Sequence, residues 1–270
     1  MKITMKKAAI AIIAFIVTGS FAFAESTAST SGTPSAEEIV SASRDRIKAD
    51  TVSTRSRMII TAKDGTTSER VVDQYSKKAD SGDRTIVVFQ KPASVAGTRF
   101  LTIEKKSASD DRWIFLPALG KVRRISASEG SGSFVGTDFS YDDISSTDRD
   151  ADEDTHTLLR EESLNGKDCY VIESVPKDSS YQYSKMVQWI EKDTKVASKI
   201  ELYDQKGALE KILEILSTKD VQGRLTPMVT KMTTVADKTA TTINVDIIKY
   251  DENIPDGVFT TDYLSTGRVR

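Results

Sequence analysis

From Ser53 onward, apolar and polar positions alternate with a period of two in one short run after another. That period places successive side chains on opposite faces of an extended strand. It predicts strands over 55–62, 69–78, 84–90, 98–105, 112–116 and 121–126, and a second series over 156–164, 167–176, 185–191, 197–204, 209–217, 224–235 and 241–250. Turn-forming clusters at 63–65, 80–83, 92–97 and 107–111 separate the first six. Connections this short join antiparallel neighbours, so the chain reads as a meander of hairpins and not as a series of βαβ units. Asn165-Gly166 is the strongest hairpin signal in the chain. The 209–216 run also fits a helical period, but its place between hairpins favours a strand. Not every candidate is expected to form, and about eleven strands are predicted.

Ahead of the strands, Pro34 and Ser35-Ala-Glu-Glu38 carry the spacing of a capping box. A helix is predicted from 35 to about 48, with Ile39, Val40, Ser43 and Ile47 on a narrow stripe suited to lying on a sheet. Residues 25–34, Glu-Ser-Thr-Ala-Ser-Thr-Ser-Gly-Thr-Pro, read as a flexible tether. Nothing breaks the composition after Ser35, so 35–270 is predicted to be one domain.

The stretch 110–144 departs from simple alternation. Trp113 and Phe115 point to one side of the 112–116 strand, and Ile114 and Leu116 to the other. A strand apolar on both faces belongs inside a sheet that is covered on both sides. Pro117 and Gly120 then turn the chain into a basic strand with Lys121, Arg123 and Arg124. A Ser/Gly-rich segment follows and runs into the aromatic and acidic Asp138-Phe-Ser-Tyr-Asp-Asp-Ile144.

Composition adds the compartment and removes several chemistries. Lys2, Lys6 and Lys7 precede an unbroken apolar run over 8–17, and Ala22-Phe23-Ala24 supplies a small-x-small motif. Residues 1–24 therefore read as a signal peptide cleaved after Ala24. No cysteine follows the apolar run, so no lipid anchor is expected and the product is predicted to be periplasmic. The full chain holds 38 basic and 40 acidic residues, an acidic balance that argues against a nucleic-acid partner. The lone cysteine, Cys169, sits in a strand pattern and reads as a small buried apolar residue. Asp148, Asp150, Asp152 and Asp154 suggest a calcium loop, but the sixth and twelfth positions from Asp148 hold Glu153 and Leu159 instead of Gly and Glu. No metal is expected. His156 is the only histidine and has no partner motif. With no G-x-S-x-G, H-E-x-x-H or phosphate-binding loop, no catalytic residues and no cofactor are expected. Asp142 and Asp143 are adjacent in sequence, which alone gives no acid–base geometry.

The runs Trp-Ile-Phe-Leu-Pro-Ala-Leu-Gly-Lys-Val-Arg-Arg-Ile-Ser (113–126) and Ser-Gly-Ser-Phe-Val-Gly-Thr-Asp-Phe-Ser-Tyr-Asp-Asp-Ile (131–144) resemble the signature of the outer-membrane lipoprotein-sorting-protein-like family, the LolA-like periplasmic proteins. The resemblance extends more weakly from the helix at Ser35 to Ile-Pro-Asp-Gly-Val-Phe-Thr-Thr-Asp-Tyr-Leu (254–264). It implies an α+β fold in which a strongly curved antiparallel sheet, a LolA/LolB-like half-barrel, wraps around a few helices and holds acyl chains in an apolar cavity. It also implies lipid or lipoprotein acyl chains as partners, with an inner-membrane exporter of the resistance–nodulation–division (RND) superfamily as a further one, and a monomer is expected.

A large meander with few helices leaves apolar sheet surface to be covered by a ligand. Trp113, Phe115, Ile86, Val88, Leu101, Ile103, Val187 and Trp189 are the candidate lining; each taken alone fits an ordinary core better, and only the family resemblance raises the cavity above it. Lys121, Arg123 and Arg124 suit a head group or an acidic partner surface, or else a solvated sheet edge. Phe134, among glycines, is a candidate plug of a mobile lid or part of an ordered loop. Carrier of acyl chains is the first functional expectation. An envelope sensor or accessory subunit that binds a membrane partner is the alternative.

Overall fold

A computed structural model describes residues 33–105, 110–145 and 151–269. The leader, its cleavage point and all of the tether except Thr33 and Pro34 lie outside the described residues, as do Asp148 and Asp150 of the acidic run. Helix α1 (Ala36–Asp45) starts where the capping box places it: the Glu38 amide donates to Ser35 Oγ at 3.2 Å, and the Ser35 amide to Glu38 Oε2 at 2.8 Å.

Among the described residues thirteen strands form, two more than expected, and every predicted run becomes one. They are β1 (Thr51–Thr61), β2 (Thr67–Lys77), β3 (Arg84–Lys91), β4 (Arg99–Ile103), β5 (Asp111–Leu116), β6 (Lys121–Ile125), β7 (Asp154–Leu164), β8 (Lys167–Pro176), β9 (Lys185–Glu191), β10 (Ala197–Tyr203), β11 (Leu209–Val221), β12 (Arg224–Thr234) and β13 (Thr239–Tyr250). The ambiguous 209–216 run is strand, because its ladder with β12 continues to Val221 and closes at Gln222-Gly223. Asn165-Gly166 and Gln222-Gly223 both turn with positive φ at each residue, the backbone that a two-residue hairpin needs.

The strands build one antiparallel sheet in the order β6-β5-β4-β3-β2-β1-β13-β12-β11-β10-β9-β8-β7. Two meanders, β1–β6 and β7–β13, meet where β1 pairs with β13. The sheet is not closed, and β6 and β7 are its edges. It is strongly curved. Strands β4 and β9 are eight places apart in this order, about 38 Å in a flat sheet. Yet Phe100 of β4 and Met186 of β9 belong to one apolar cluster. Only a sheet curled towards one side brings these strands within reach of the same short segment.

The inner face carries Met58, Val72, Val87, Phe89, Phe100 and Ile114 from one arm, and Met186, Leu202 and Met232 from the other. Helix α1 covers its far end, setting Ile39 and Val40 on Ile172 of β8 and Ile190 of β9. On the outer face of β3–β5, the C-terminal segment sets Ile254, Val258, Phe259 and Leu264 over Ile86, Val88 and Leu101. Helix α3 (Thr261–Thr266) is part of that cover. The 112–116 strand is thus covered on both sides, as its two apolar faces require.

Candidate functional site

The segment after β6 crosses the inner face as a strap. A 3-10 turn at Ala127–Glu129, a bridge between Ser133 and Ser140, and helix α2 (Tyr141–Ser145) give it local order. Phe134 is fully buried at its centre, with ring centroids 5.7 Å from Phe89, 5.2 Å from Phe100 and 5.5 Å from Tyr141. The Arg70 guanidinium donates to the Val135 carbonyl, and burial lowers the Arg70 pKa. Arg112 of β5 pairs with Asp142, whose carboxyl is pushed up by burial against the pull of that arginine.

Two carboxylates bolt the strap to the opposite arm. Asp138 is buried; it accepts hydroxyl hydrogen bonds from Thr234 at 2.7 Å, Thr241 at 2.7 Å and Thr239. Its own amide donates to Thr241 Oγ1 at 3.0 Å. Asp143 accepts from Tyr183 OH, Gln182 Nε2 and Lys211 Nζ, each at 2.9 Å, and from the Ser140 amide at 2.8 Å. Neither bolt is visible in the local sequence, since their partners lie on β11–β13 and before β9. The signal that points to one of them is Lys211, a lone cation in the apolar row Leu209, Leu213, Ile215.

The predicted lining residues separate into two groups. Ile86, Val88, Leu101, Ile103, Trp113 and Phe115 come together on the outer face under the C-terminal segment. Ile86 and Leu101 are fully buried there, while Ile103, Trp113 and Phe115 are partly exposed. Val187 and Trp189 lie apart from them, on the outer face of the other arm with Cys169 and Val171. The Trp189 ring is roofed by Lys199 Nζ at 4.3 Å and Arg160 at 5.9 Å, and its indole N–H donates to Glu162. A single pocket containing all eight is therefore not formed, because the curl puts β8–β10 across the sheet from β3–β5.

The basic triad is also divided. Lys121, Arg123 and Arg124 are all exposed on edge strand β6. By its alternation, Lys121 and Arg123 share the face of Ile125, and Arg124 has the opposite one. Arg123 pairs with Glu129, and Arg124 with Asp111. The Ser126 amide and Arg123 hold the Glu129 carboxyl down to about 2.

His156 is buried on β7, with Nδ1 2.7 Å from Ser174 Oγ and Nε2 2.8 Å from the Ala151 carbonyl, so it ties a 3-10 turn to the sheet. Cys169 is fully buried, and burial pushes its thiol pKa up, which makes it inert. Among the described residues, no group of three or more His, Cys, Asp or Glu is placed to hold a metal ion.

Between the strap and α1, the inner face is less completely covered. Ile200, Leu213 and Ile243 line it and are partly exposed. Ile215 and Val245, two residues further along β11 and β13, extend the row and are also partly exposed. This is an apolar strip from β10, β11 and β13, with a floor of hydrogen-bonded sheet.

Comparison with known proteins bears on this arrangement. A family model described as "Uncharacterized protein" matches residues 81–266. No curated protein matches the chain. The crystal structure of a DUF1329 family protein from Desulfovibrio piger is 30% identical, with a TM-score of 0.81, over 85% of this chain and 97% of that one. A domain from Vibrio parahaemolyticus described as an outer membrane lipoprotein-sorting protein is 28% identical, with a TM-score of 0.79, over 85% of this chain and 98% of that one. A LolA superfamily protein from Nitrosomonas europaea shares the fold at 24% identity, with a TM-score of 0.69, over 86% of this chain and 100% of that one. The chain belongs to the DUF1329 family, and it shares its fold with the LolA superfamily protein.

Proposed function

We propose that this protein is a non-enzymatic periplasmic carrier that holds the acyl chains of lipids or lipoproteins on the inner face of its half-barrel. The observation that carries this reading is the strip Ile200, Leu213, Ile215, Ile243 and Val245, a row of apolar side chains left partly exposed on the concave face. Apolar surface left in a concave seat is stabilised when a chain of methylenes displaces water from it, at about 0.8 kcal/mol per buried methylene. The relatives support the same reading, since one is described as an outer membrane lipoprotein-sorting protein. The carrier works after removal of the leader at Ala24, takes its cargo from an inner-membrane exporter of the RND superfamily, and acts as a monomer.

Delipidated protein titrated with a fluorescent fatty acid tests the seat. Saturable one-to-one binding is expected, and Ile215→Lys with Val245→Lys should weaken it at least tenfold without lowering thermal stability. An absence of saturable binding by the wild-type protein would overturn the carrier reading in favour of a protein-binding accessory subunit.

A further inference from the structure

We propose that the end of the sheet formed by the β3–β4 and β5–β6 turns is a docking surface for an anionic phospholipid bilayer. Five other hairpin tips are dominated by polar or charged residues or glycine: Lys63-Asp64-Gly65, Asn165-Gly166, Gln205-Lys206-Gly207, Gln222-Gly223 and Val235-Ala236-Asp237-Lys238, whose valine is 37% exposed beside two charges. These two are not. The β5–β6 tip is Pro117-Ala118-Leu119-Gly120, fully outside the core, and Leu119 at 65% is the most exposed large apolar side chain among the described residues. The β3–β4 connection is Pro92-Ala93-Ser94-Val95-Ala96-Gly97, with Pro92 and Ala93 exposed.

The two tips form one patch. A side chain on Gly97 would meet the Pro117 ring at 3.3 Å, and Gly97 has φ +80°, so its glycine lets the turns touch. Beneath them, Val95, Leu116 and Val135 pack on the inner core, which anchors the patch to the rigid part of the sheet. The turn itself is fixed by the Leu119 and Gly120 amides, which both donate to the Leu116 carbonyl at 3.0 Å. Leu119 is held outward by a tight backbone and is not a floppy excursion.

Charge decides the partner. Segments 91–99 and 116–125 hold five basic residues (Lys91, Arg99, Lys121, Arg123, Arg124) and no acidic one, in a chain with an acidic excess. Arg123 and Arg124 are partnered by Glu129 and Asp111, and Arg99 donates to the Leu264 carbonyl. Lys91 and Lys121 are exposed and have no ion pair among the described residues. An apolar tip with a collar of free lysines matches a bilayer: the leucine enters the interfacial region while the ammonium groups meet lipid phosphates. An isolated apolar turn without the collar would not distinguish a membrane from a protein. This docking requires no acyl chain in the inner face, and it stands or falls separately from the carrier reading.

Flotation of the intact mature protein with vesicles tests it. The vesicles are phosphatidylethanolamine with about one quarter phosphatidylglycerol, against phosphatidylcholine alone, at low salt. The protein should float with the anionic vesicles, and raising the salt should weaken this. Leu119→Asp should abolish flotation, and Lys91→Glu with Lys121→Glu should weaken it by at least tenfold, at about fivefold for each lost cation. Fatty-acid binding and melting temperature should be unchanged in all of these, as expected for changes at an exposed turn. In Leu119→Trp, indole emission should shift to the blue on adding the anionic vesicles. Wild-type protein that does not float, or a Leu119→Asp variant that floats as well as wild type, overturns the proposal. Retention of the patch by a protein partner with no vesicle binding likewise overturns it.

Discussion

Lys211 on β11 sets its ammonium 2.9 Å from the Asp143 carboxylate of the strap, with side chains only 8% and 7% exposed. The pair joins the two arms of the half-barrel from inside. Buried ion pairs add little over an apolar pair of equal volume, but losing one partner leaves an uncompensated charge. Lys211→Met and Asp143→Asn should each destabilise the protein by about 3–5 kcal/mol. Urea unfolding measures this, and a change within about 0.5 kcal/mol for either variant would mean that water already reaches the pair.

Phe134 was a candidate plug from sequence, and its surroundings decide how tightly it is held. It has no exposed surface and lies among Phe89, Phe100 and Tyr141. Phe134→Ala should cost about 3–5 kcal/mol, and Phe134→Leu less than half of that. A hinged lid would instead tolerate alanine with little loss, so chemical denaturation of the two variants separates a fixed strap from a mobile one.

The strands were legible because each hairpin writes its own alternation and its own turn. The β11 end was not: Ser217 to Asp220 is polar on both faces, yet the ladder to β12 carries it as strand where the sheet projects past its core. The strap was legible as an unusual stretch but not as a bridge. Asp138 finds its threonines about a hundred positions away, at 234, 239 and 241, and nothing near Asp138 announces them. The lining was half legible. Two-faced burial of Trp113-Ile114-Phe115-Leu116 follows from alternation alone, but which face closes on itself depends on the direction of the curl, and local pattern carries no information on that.

Alkali should loosen the fold in a defined window. Tyr203 donates to Glu201 at 2.8 Å, and burial first, then that carboxylate, pushes its phenol up to about 12. Tyr183 moves further in the same direction through burial and Asp143. The unfolded chain gives up these protons near pH 10, before the folded one does. Stability is therefore full below about pH 10 and falls as pH rises toward 12. Melting temperature against pH should decline over that range, and Tyr203→Phe should make the decline shallower. An unchanged slope in that variant would remove Tyr203 from the account.

Trp113 separates the two faces as ligand seats. It packs against the cluster of Ile86, Leu101, Phe259 and Leu264 but is itself partly exposed, opposite Arg124 in the β5–β6 ladder. On the inner-face reading it is a packing residue beneath the C-terminal cover. Truncating it removes apolar contact that is only partly shielded from water, so Trp113→Ala should destabilise by about 2–3 kcal/mol, below the range for a fully buried tryptophan. Affinity for a fluorescent fatty acid should stay within about twofold of wild type, since a change outside the seat leaves its methylene contacts intact. The cover can be tested with it: Leu264→Ala should lower stability by a similar amount and leave probe affinity alone. If Trp113→Ala keeps full stability but loses the probe, the acyl chain sits on the outer face under the C-terminal segment, and the inner strip is ordinary partly wetted sheet.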